Sequence, residues 1–477
     1  MSRLTDITII LARRGVRAPS PPGVRTVPRK RTLVASARVL AAAFLLGVAP
    51  GLSCAAPADA PIGSLAQAQA PADPSRSPFG SVPPRSGATP DAPPSTPPRG
   101  GPNPGGAGGE IRFGIAAPFT GSSKEFGRQL SLGIETAFNL ANESGGVNGR
   151  QLKLVSADDG YEPNRTLDAV KRLAEKDGVM GYIGNFGTST AAVALPYALE
   201  RKMLFFAPFT GSNLLRNVPP DRYVFNYRPS YAEETEAAVR YLVQVRGIRP
   251  RDIAVLAQDD GFGEAGYAGV AKAVRALPGQ ARSDEAPQRL TYKRNTVDVG
   301  PAVALLRARK TPPRAVIMVA VYRPAAKFIE ATRPLFRGLI YTNVSAVGSS
   351  SLAEELMLLG PNYADGVIVT QVVPAVNGYS KAVLEFKTAL GKYFPGEAPD
   401  YVSLEAYASA RILIEGLKRA GPQTDTEKLV DALEGINDLD IGLGTGLKFG
   451  PSEHQASHMV WGTQLDNTGK YKAIDLQ

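Results

Sequence analysis

Between Ile111 and Thr342 the chain alternates short apolar runs with stretches whose apolar positions recur at helical spacing. IRFGIAA (111–117) has the length of a strand. The segment after it sets Leu130, Ile134, Ala137, Phe138 and Ala141 on one helical face, which Gly145-Gly146 brings to an end. QLKLVSA follows, then a helix through Leu167 to Leu173, the run VMGYI, a helix from Thr188 to Glu200, and MLFFA. The pattern restarts after Tyr231 as helix, IAVLA, helix, RLTY, helix, AVIMV, helix and GLIYT. Apolar strands separated by amphipathic helices predict parallel sheets with helices on both faces. Two such series predict two α/β lobes.

Before Glu110 the texture is different. Residues 55–109 are mostly Pro, Ala, Gly and Ser, as in PPRSGATPDAPPSTPPRGGPNPGGAGG. So little apolar surface cannot offset the cost of ordering the chain, and a disordered linker of polyproline character is expected. Extended at about 3.1 Å per residue, it would reach on the order of 150 Å, the reach of a tether. Residues 1–54 read as a leader: Arg29, Lys30, Arg31 and Arg38 precede the apolar run VLAAAFLLGV (39–48). That run is shorter than the roughly 20 residues that span a bilayer, and its flanks have the charge order of a secretory signal, which predicts export to the periplasm. The formal charge of the chain is +10, of which residues 1–54 supply +8. The remainder is close to neutral, so nucleic acid is not an expected partner. Cys54 is the only cysteine, which excludes an internal disulfide. Its place in GLSC after the apolar run makes it a lipidation candidate and so a candidate lipid anchor, although Gly51 stands where an aliphatic residue is usual. Cleavage beyond Ala58-Asp59-Ala60 is the alternative.

Open parallel sheets bind ligands beyond the carboxyl ends of their strands, where helix N-termini offer free amides. The first, third and fourth strands end in APFTGSS (117–123), GNFGTST (184–190) and APFTGSN (207–213). Hydroxyls there can donate, glycines admit backbone amides, and a helix N-terminus favours a negative group by about 0.3–1 kcal/mol at an exposed site. Any one of these loops could be plain helix capping; the recurrence of APFTGS within one lobe favours a site for a carboxylate or similar head group. Phe126, Phe262 and Tyr322 lie just past strand ends and would enclose an apolar body.

Other chemistry is weaker. Gly261, Gly263 and Gly266 spell GxGxxG between a strand and a helix, with Asp284-Glu285 about 20 residues on, as in a dinucleotide fingerprint. Gln258, Asp259 and Asp260 separate the strand from the first glycine, however, and two carboxylates would repel a pyrophosphate. Asp284 and Glu285 also precede the strand RLTY rather than end it. No cofactor is expected. His454 and His458, the only histidines, stand four apart beside Glu453, but Pro451 and the strand-like MVWGTQL argue against a shared helix face. They read as surface polar residues rather than metal ligands. There is no GxSxG, and a hydrolase is the weaker alternative to a binding protein.

Several longer segments carry a resemblance: FGIAAPFTG, FGRQLSLGIETAFNLANESGGVNGRQLKLVSADDGYEPNRT, GYIGNFGTSTAAVALP, FFAPFTGSNLLR and AQDDGFGEAGYAGV. From Ile111 to the C-terminus the chain resembles the exported solute-binding proteins of branched-chain amino acid type ABC importers, the leucine/isoleucine/valine-binding family of the type I periplasmic-binding fold. The resemblance implies an α/β protein of two lobes, each a parallel sheet sandwiched by helices, joined by three hinge crossovers near Tyr227 to Ser230, Gly366 to Val372 and Gly450 to Gln455. Lobe 1 would comprise residues 110–229 and 371–451, and lobe 2 residues 230–370 and 452–477. It further implies a non-enzymatic protein that closes by hinge motion on a small solute and delivers it to an ABC permease in the inner membrane. The same fold also serves sensory receptors and regulators, a reading that the export signal and the lack of a later membrane helix make weaker.

Carried over by position, Thr188, with Ser189 beside it, falls where the family binds the ligand carboxylate. Phe209, Thr210, Gly211 and Ser212 match the segment that lends backbone groups and a second hydroxyl. Gly211 holds the hydroxyl's own place, so Thr210 or Ser212 would have to substitute. Phe126, Phe262 and Tyr322 match aromatic cleft positions. Ser345 stands where amino-acid binders of the family carry an acid for the ligand's ammonium. A buried ammonium without a carboxylate is strongly disfavoured, so either Asp260 or another acid replaces it, or the solute is an amide or an organic or aromatic acid.

Overall fold

The structure is a computed structural model that describes residues 109–278 and 286–477. The leader, Cys54, the linker up to residue 108 and the pair Asp284-Glu285 lie outside the described residues. The first sheet is built from β1 (Ile111–Ala117), β2 (Leu152–Asp158), β3 (Gly181–Ile183), β4 (Leu204–Phe206) and β5 (Val224–Phe225), in the order β2-β1-β3-β4-β5. Every pairing in it is parallel. Helices α1 (Lys124–Glu143), α2 (Pro163–Glu175) and α3 (Thr188–Glu200) connect these strands.

The second sheet begins after α4 (Tyr231–Arg240). It comprises β6 (Ile253–Gln258), β7 (Gln288–Tyr292), β8 (Ala315–Val319), β9 (Ile340–Asn343), β10 (Ile368–Gln371), β11 (Trp461–Leu465) and β12 (Tyr471–Ile474), in the order β12-β11-β10-β9-β8-β6-β7. Helices α5 (Gly261–Ala276), α6 (Gly300–Arg307), α7 (Tyr322–Thr332), α8 (Ser349–Leu359) and the short α9 (Pro361–Ala364) link its strands up to β10. These pairings are parallel from β7 to β10, whereas β11 and β12 form an antiparallel hairpin on the edge. All residues of β6 and β8 are buried, as expected of central strands covered on both faces.

The chain crosses between the sheets three times. It leaves the first after β5. After β10 it returns as α10 (Lys381–Tyr393), α11 (Tyr401–Ala420) and α12 (Thr426–Glu434), with α11 packed along α1. Gly133 makes that close approach feasible, because a Cβ there would lie 2.1 Å from the Ser403 carbonyl oxygen. The last crossing carries both histidines, and here the structure departs from expectation. His454 is buried and stacks on Phe225 with ring centroids 3.9 Å apart, its Nδ1 2.8 Å from the Val224 carbonyl. The cause is a ladder that the sequence pattern does not announce: Asn226 N donates to His454 O and Ala456 N to Asn226 O, so this crossing runs alongside the end of β5. His458 is half-exposed, between Glu233 at 2.6 Å and Glu453 at 2.9 Å.

Candidate functional site

On the first sheet the carboxyl ends of β1, β3 and β4 carry the hydroxyl-rich loops. Helix α3 starts at Thr188 behind Gly187, whose φ of 94° suits glycine, and no side chain caps it. Its first turn therefore keeps unpaired amides and a positive dipole end. Thr188 Oγ1 lies 2.6 Å from Thr210 Oγ1. Of the two hydroxyls offered in place of Gly211, Thr210 is thus the one that meets Thr188. Ser212 accepts from Leu214 N at 3.3 Å and caps a 3-10 turn instead. Gly211 is required where it stands: its carbonyl accepts Tyr231 N at 2.8 Å, and a Cβ would sit 2.6 Å from that nitrogen.

Phe209 donates its amide to Asn185 O and stacks on Phe186, with centroids 5.8 Å apart. Phe126, in the first turn of α1, packs on Phe186 at 4.5 Å and meets Tyr322 of the second sheet at 5.7 Å. Tyr322 OH donates to Ser122 O at 2.7 Å. Phe262 lies 5.2 Å from Tyr231, and its amide is held by the Asp260 cap of α5. Ser189 donates to Asp260 Oδ2 at 2.8 Å. These contacts bring the carboxyl ends of the two sheets face to face. Phe126, Thr188, Phe209, Thr210, Phe262, Tyr322 and Ser345 are all buried there. They pack on one another rather than around open space. A void of about 10 Å³ beside Phe209 and Glu405 has room for a single water, and a cavity of about 430 Å³ bounded by Glu233, Arg240, His458 and Trp461 shares none of these residues.

The GxGxxG glycines serve packing. A Cβ on Gly263 would fall 1.9 Å from Gln258 O and one on Gly266 2.5 Å from the Val319 side chain, while Gly261 faces Thr188. Asp260, suggested as a substitute acid, is committed to Ser189, Gln258, Arg294 and the Phe262 amide.

Several residues enter the site that the sequence did not single out. Glu234 on α4 accepts Ser345 N at 2.8 Å and Ser345 Oγ at 3.0 Å, and also the Thr370 hydroxyl. Its carboxylate therefore occupies the neighbourhood from which the acid is missing at 345. Burial raises its pKa above the ordinary carboxyl value, opposed by Arg228 and by the hydroxyls of Thr370 and Ser345. Arg228 is fully buried, its Cζ 4.2 Å from the centre of the Phe209 ring, and forked onto Glu405 through Nε at 2.8 Å and Nη2 at 2.7 Å. Burial opposes its charge, but Glu405 outweighs that and raises its pKa.

The motif DDGYEP builds a further element. Asp158 accepts from Phe119 N, Thr120 and Gly160 N and pairs with Arg165; these bonds outweigh its burial and bring its pKa down to about 2. Burial lifts the pKa of Asp159 to about 6, against bonds from Tyr161 N and Thr166. The loop holds Tyr161 at φ 61°, an uncommon conformation for a non-glycine residue. This turns its ring edge-on to Phe186 at 4.8 Å and its hydroxyl to Gln258 Nε2 on the other sheet at 2.9 Å. Arg294 and Asn295, after β7, grip the same loop: Arg294 Nη2 lies 3.2 Å from Glu162, and Asn295 Nδ2 donates to Glu162 Oε1 at 2.7 Å and Gly160 O at 3.1 Å. A positive φ at Tyr161 or a partner in another lobe leaves no local signal in the sequence.

Comparison with known proteins agrees with this architecture. The Leu/Ile/Val-binding protein homolog 3 of Brucella melitensis is 25% identical over 343 residues, covering 70% of this chain and 86% of that protein. An "Amino acid binding protein" of Pseudomonas aeruginosa is 26% identical over 318 residues, covering 65% and 79%. The crystal structure of a "possible leucine/isoleucine/valine-binding protein" from Rhodopirellula baltica SH 1 superposes with a TM-score of 0.73 at 35% identity, over 78% of this chain and 97% of that one. With residues 110–470 matching the periplasmic binding protein family model and an α/β fold of two sheets, the chain belongs to the periplasmic binding protein family and has its type I fold.

Proposed function

We propose that this protein is the extracytoplasmic solute-binding component of an ABC uptake system, closing its lobes on a small polar solute and presenting it to an inner-membrane permease. As a family member it binds solutes and is not an enzyme. One observation carries the reading: Ser189 bonds to Asp260 and Phe126 packs on Tyr322 across the interface of two sheet ends, with Thr188, Phe209, Phe262 and Ser345 buried beside these contacts. Because they are packed together there, a solute can enter only when the lobes part. The three crossings supply the hinge for that motion. The lobes would be residues 110–229 with 371–451, and 230–370 with 452–477. The leader would direct export, and residues 55–109 would tether the lobes to a membrane if Cys54 carries lipid.

In the closed site the open N-terminus of α3 and the Thr188–Thr210 hydroxyl pair favour a carboxylate. Ser345 Oγ, whose hydrogen is given to Glu234, turns only lone pairs toward the solute, and the Glu234 carboxylate lies directly behind it. That pairing suits a positively charged or N–H-bearing group. The geometry therefore favours an amino acid over an amide or a plain organic or aromatic acid, in keeping with relatives named for leucine, isoleucine and valine. The test is a thermal-shift screen of the purified protein against amino acids, amides and aromatic acids, followed by calorimetry. A bound solute must raise Tm by mass action. If no compound of these classes shifts it, the proposal fails; if aromatic acids shift it and amino acids do not, the role given to Ser345 and Glu234 fails.

A further inference from the structure

Arg228 is the one fully buried arginine of the site, and its Nη1 has no hydrogen-bond partner. Its Nε and Nη2 each donate to Glu405 and its face lies over the Phe209 ring, so Nη1 is the one nitrogen of the group with no partner at all. A buried charged donor left unpaired is costly, and folded proteins rarely keep one without a purpose. Its surroundings are those of the proposed solute head group. Phe209 precedes Thr210 in the chain, Thr210 Oγ1 meets Thr188 at 2.6 Å, and Tyr231 donates its amide to the neighbouring Gly211 carbonyl. Asn185 adds a second buried donor without a partner, Nδ2, on the residue whose carbonyl receives the Phe209 amide. Two buried donors without partners thus lie against Phe209.

We propose that Arg228 is a solute-contacting residue: its Nη1 donates to the carboxylate of the bound solute, beside the Thr188–Thr210 hydroxyls, and so makes the site selective for carboxylic acids over their neutral derivatives. The inference rests on the inter-lobe binding site proposed above. Glu405 has a defined part in it. It neutralises the guanidinium while the lobes are apart and holds its plane on Phe209, so that Nη1 is aimed before the solute arrives. An arginine rather than a lysine is needed, because only a fork can serve Glu405 through one edge while a third nitrogen serves the solute.

The test uses matched pairs as probes in calorimetry with the full protein: L-leucine and leucinamide, L-phenylalanine and phenylalaninamide, phenylacetate and phenylacetamide. The wild type is expected to bind at least one acid about 10–100-fold more tightly than its amide, as a charge-assisted hydrogen bond implies. Replacing Arg228 alone would strand Glu405, so the main variant is Arg228→Met with Glu405→Leu, which removes the buried pair as a unit. It should lose most of the preference for the acid while its affinity for the amide stays within about threefold. Arg228→Lys, which keeps the charge but not the fork, should lose about tenfold for the acid. A folded double variant, or a folded Arg228→Lys variant, that binds the acid like the wild type overturns the inference. If Thr188→Ala weakens binding while the Arg228 variants do not, Arg228 is excluded and the inter-lobe site stands. If neither substitution has any effect, or no acid binds the wild type, both readings fall.

Discussion

Arg294 and Asn295 join the end of the second sheet to the Gly160–Glu162 loop of the first, outside the residues proposed to hold the solute, so removing these bonds should weaken binding of every solute by one common factor. Asn295 Nδ2 makes a 2.7 Å bond to Glu162 Oε1 and a 3.1 Å bond to Gly160 O, and Arg294 lies 3.2 Å from the other Glu162 oxygen. A hydrogen bond to a charged group contributes about 1.5–3 kcal/mol when buried. The Glu162 side chain is 46% exposed, however, which brings the ion pair toward the range of about 0–1 kcal/mol for surface pairs. For Arg294→Ala with Asn295→Ala, a loss of about 1–2 kcal/mol from the closed form is a fair sum, or about 5–30-fold in Kd, since about 1.4 kcal/mol is tenfold. The full factor is reached when the unliganded protein is mainly open and shrinks as the closed fraction grows. The assay is calorimetry with at least two chemically different solutes, with dissociation followed by stopped flow. Equal losses carried by faster dissociation support the clasp. An unchanged Kd, or a loss confined to one solute, refutes the reasoning.

Thr188→Ala should weaken solute binding without unfolding the protein, read by calorimetry beside circular dichroism. Arg228→Ala alone should destabilise the fold by about 3–5 kcal/mol, because it leaves Glu405 buried and unpaired, whereas the double replacement with Glu405→Leu should cost far less; urea unfolding measures both. Gly263→Ala should lower Tm, since its Cβ would fall 1.9 Å from the Gln258 carbonyl oxygen and the backbone would have to move. The last prediction concerns pH. Hydrogen bonds from His458, Ser230 and Gln455 outweigh burial and lower the pKa of Glu233 to about 2, while its bond to Glu233 raises that of His458 above its ordinary 6.5 against burial. A raised histidine contributes fully below 6.5 and is lost as pH rises through its folded value. A lowered glutamate contributes fully above 4.5 and is lost as pH falls toward 2. The pair is therefore fully present between those values, and His458→Gln should flatten the fall of Tm from pH 6 to pH 9. An identical profile in that variant would dismiss the pair as a contributor.

What the sequence alone determined was local. Periodicity placed β1 to β4 and β6 to β9, and the start of α3 at Thr188, because each of these depends on the spacing of its own apolar residues and on the glycines that end it. The hydroxyl loops were legible because helix N-termini after parallel strands have a fixed relation to the sheet. Two-residue β5 carries too few positions to show a period, and the pairing of β11 with β10 joins residues some ninety positions apart. Only the tertiary structure could decide which of Thr210 and Ser212 meets Thr188, since both stand at equal distance from Gly211 and the choice depends on how the chain turns around Tyr231. It also placed the Glu234 carboxylate, from the first turn of α4, against Ser345. Charges buried together but far apart in the chain, such as Arg228 with Glu405 on α11, are bound by distance in space, and sequence separation carries no record of that distance.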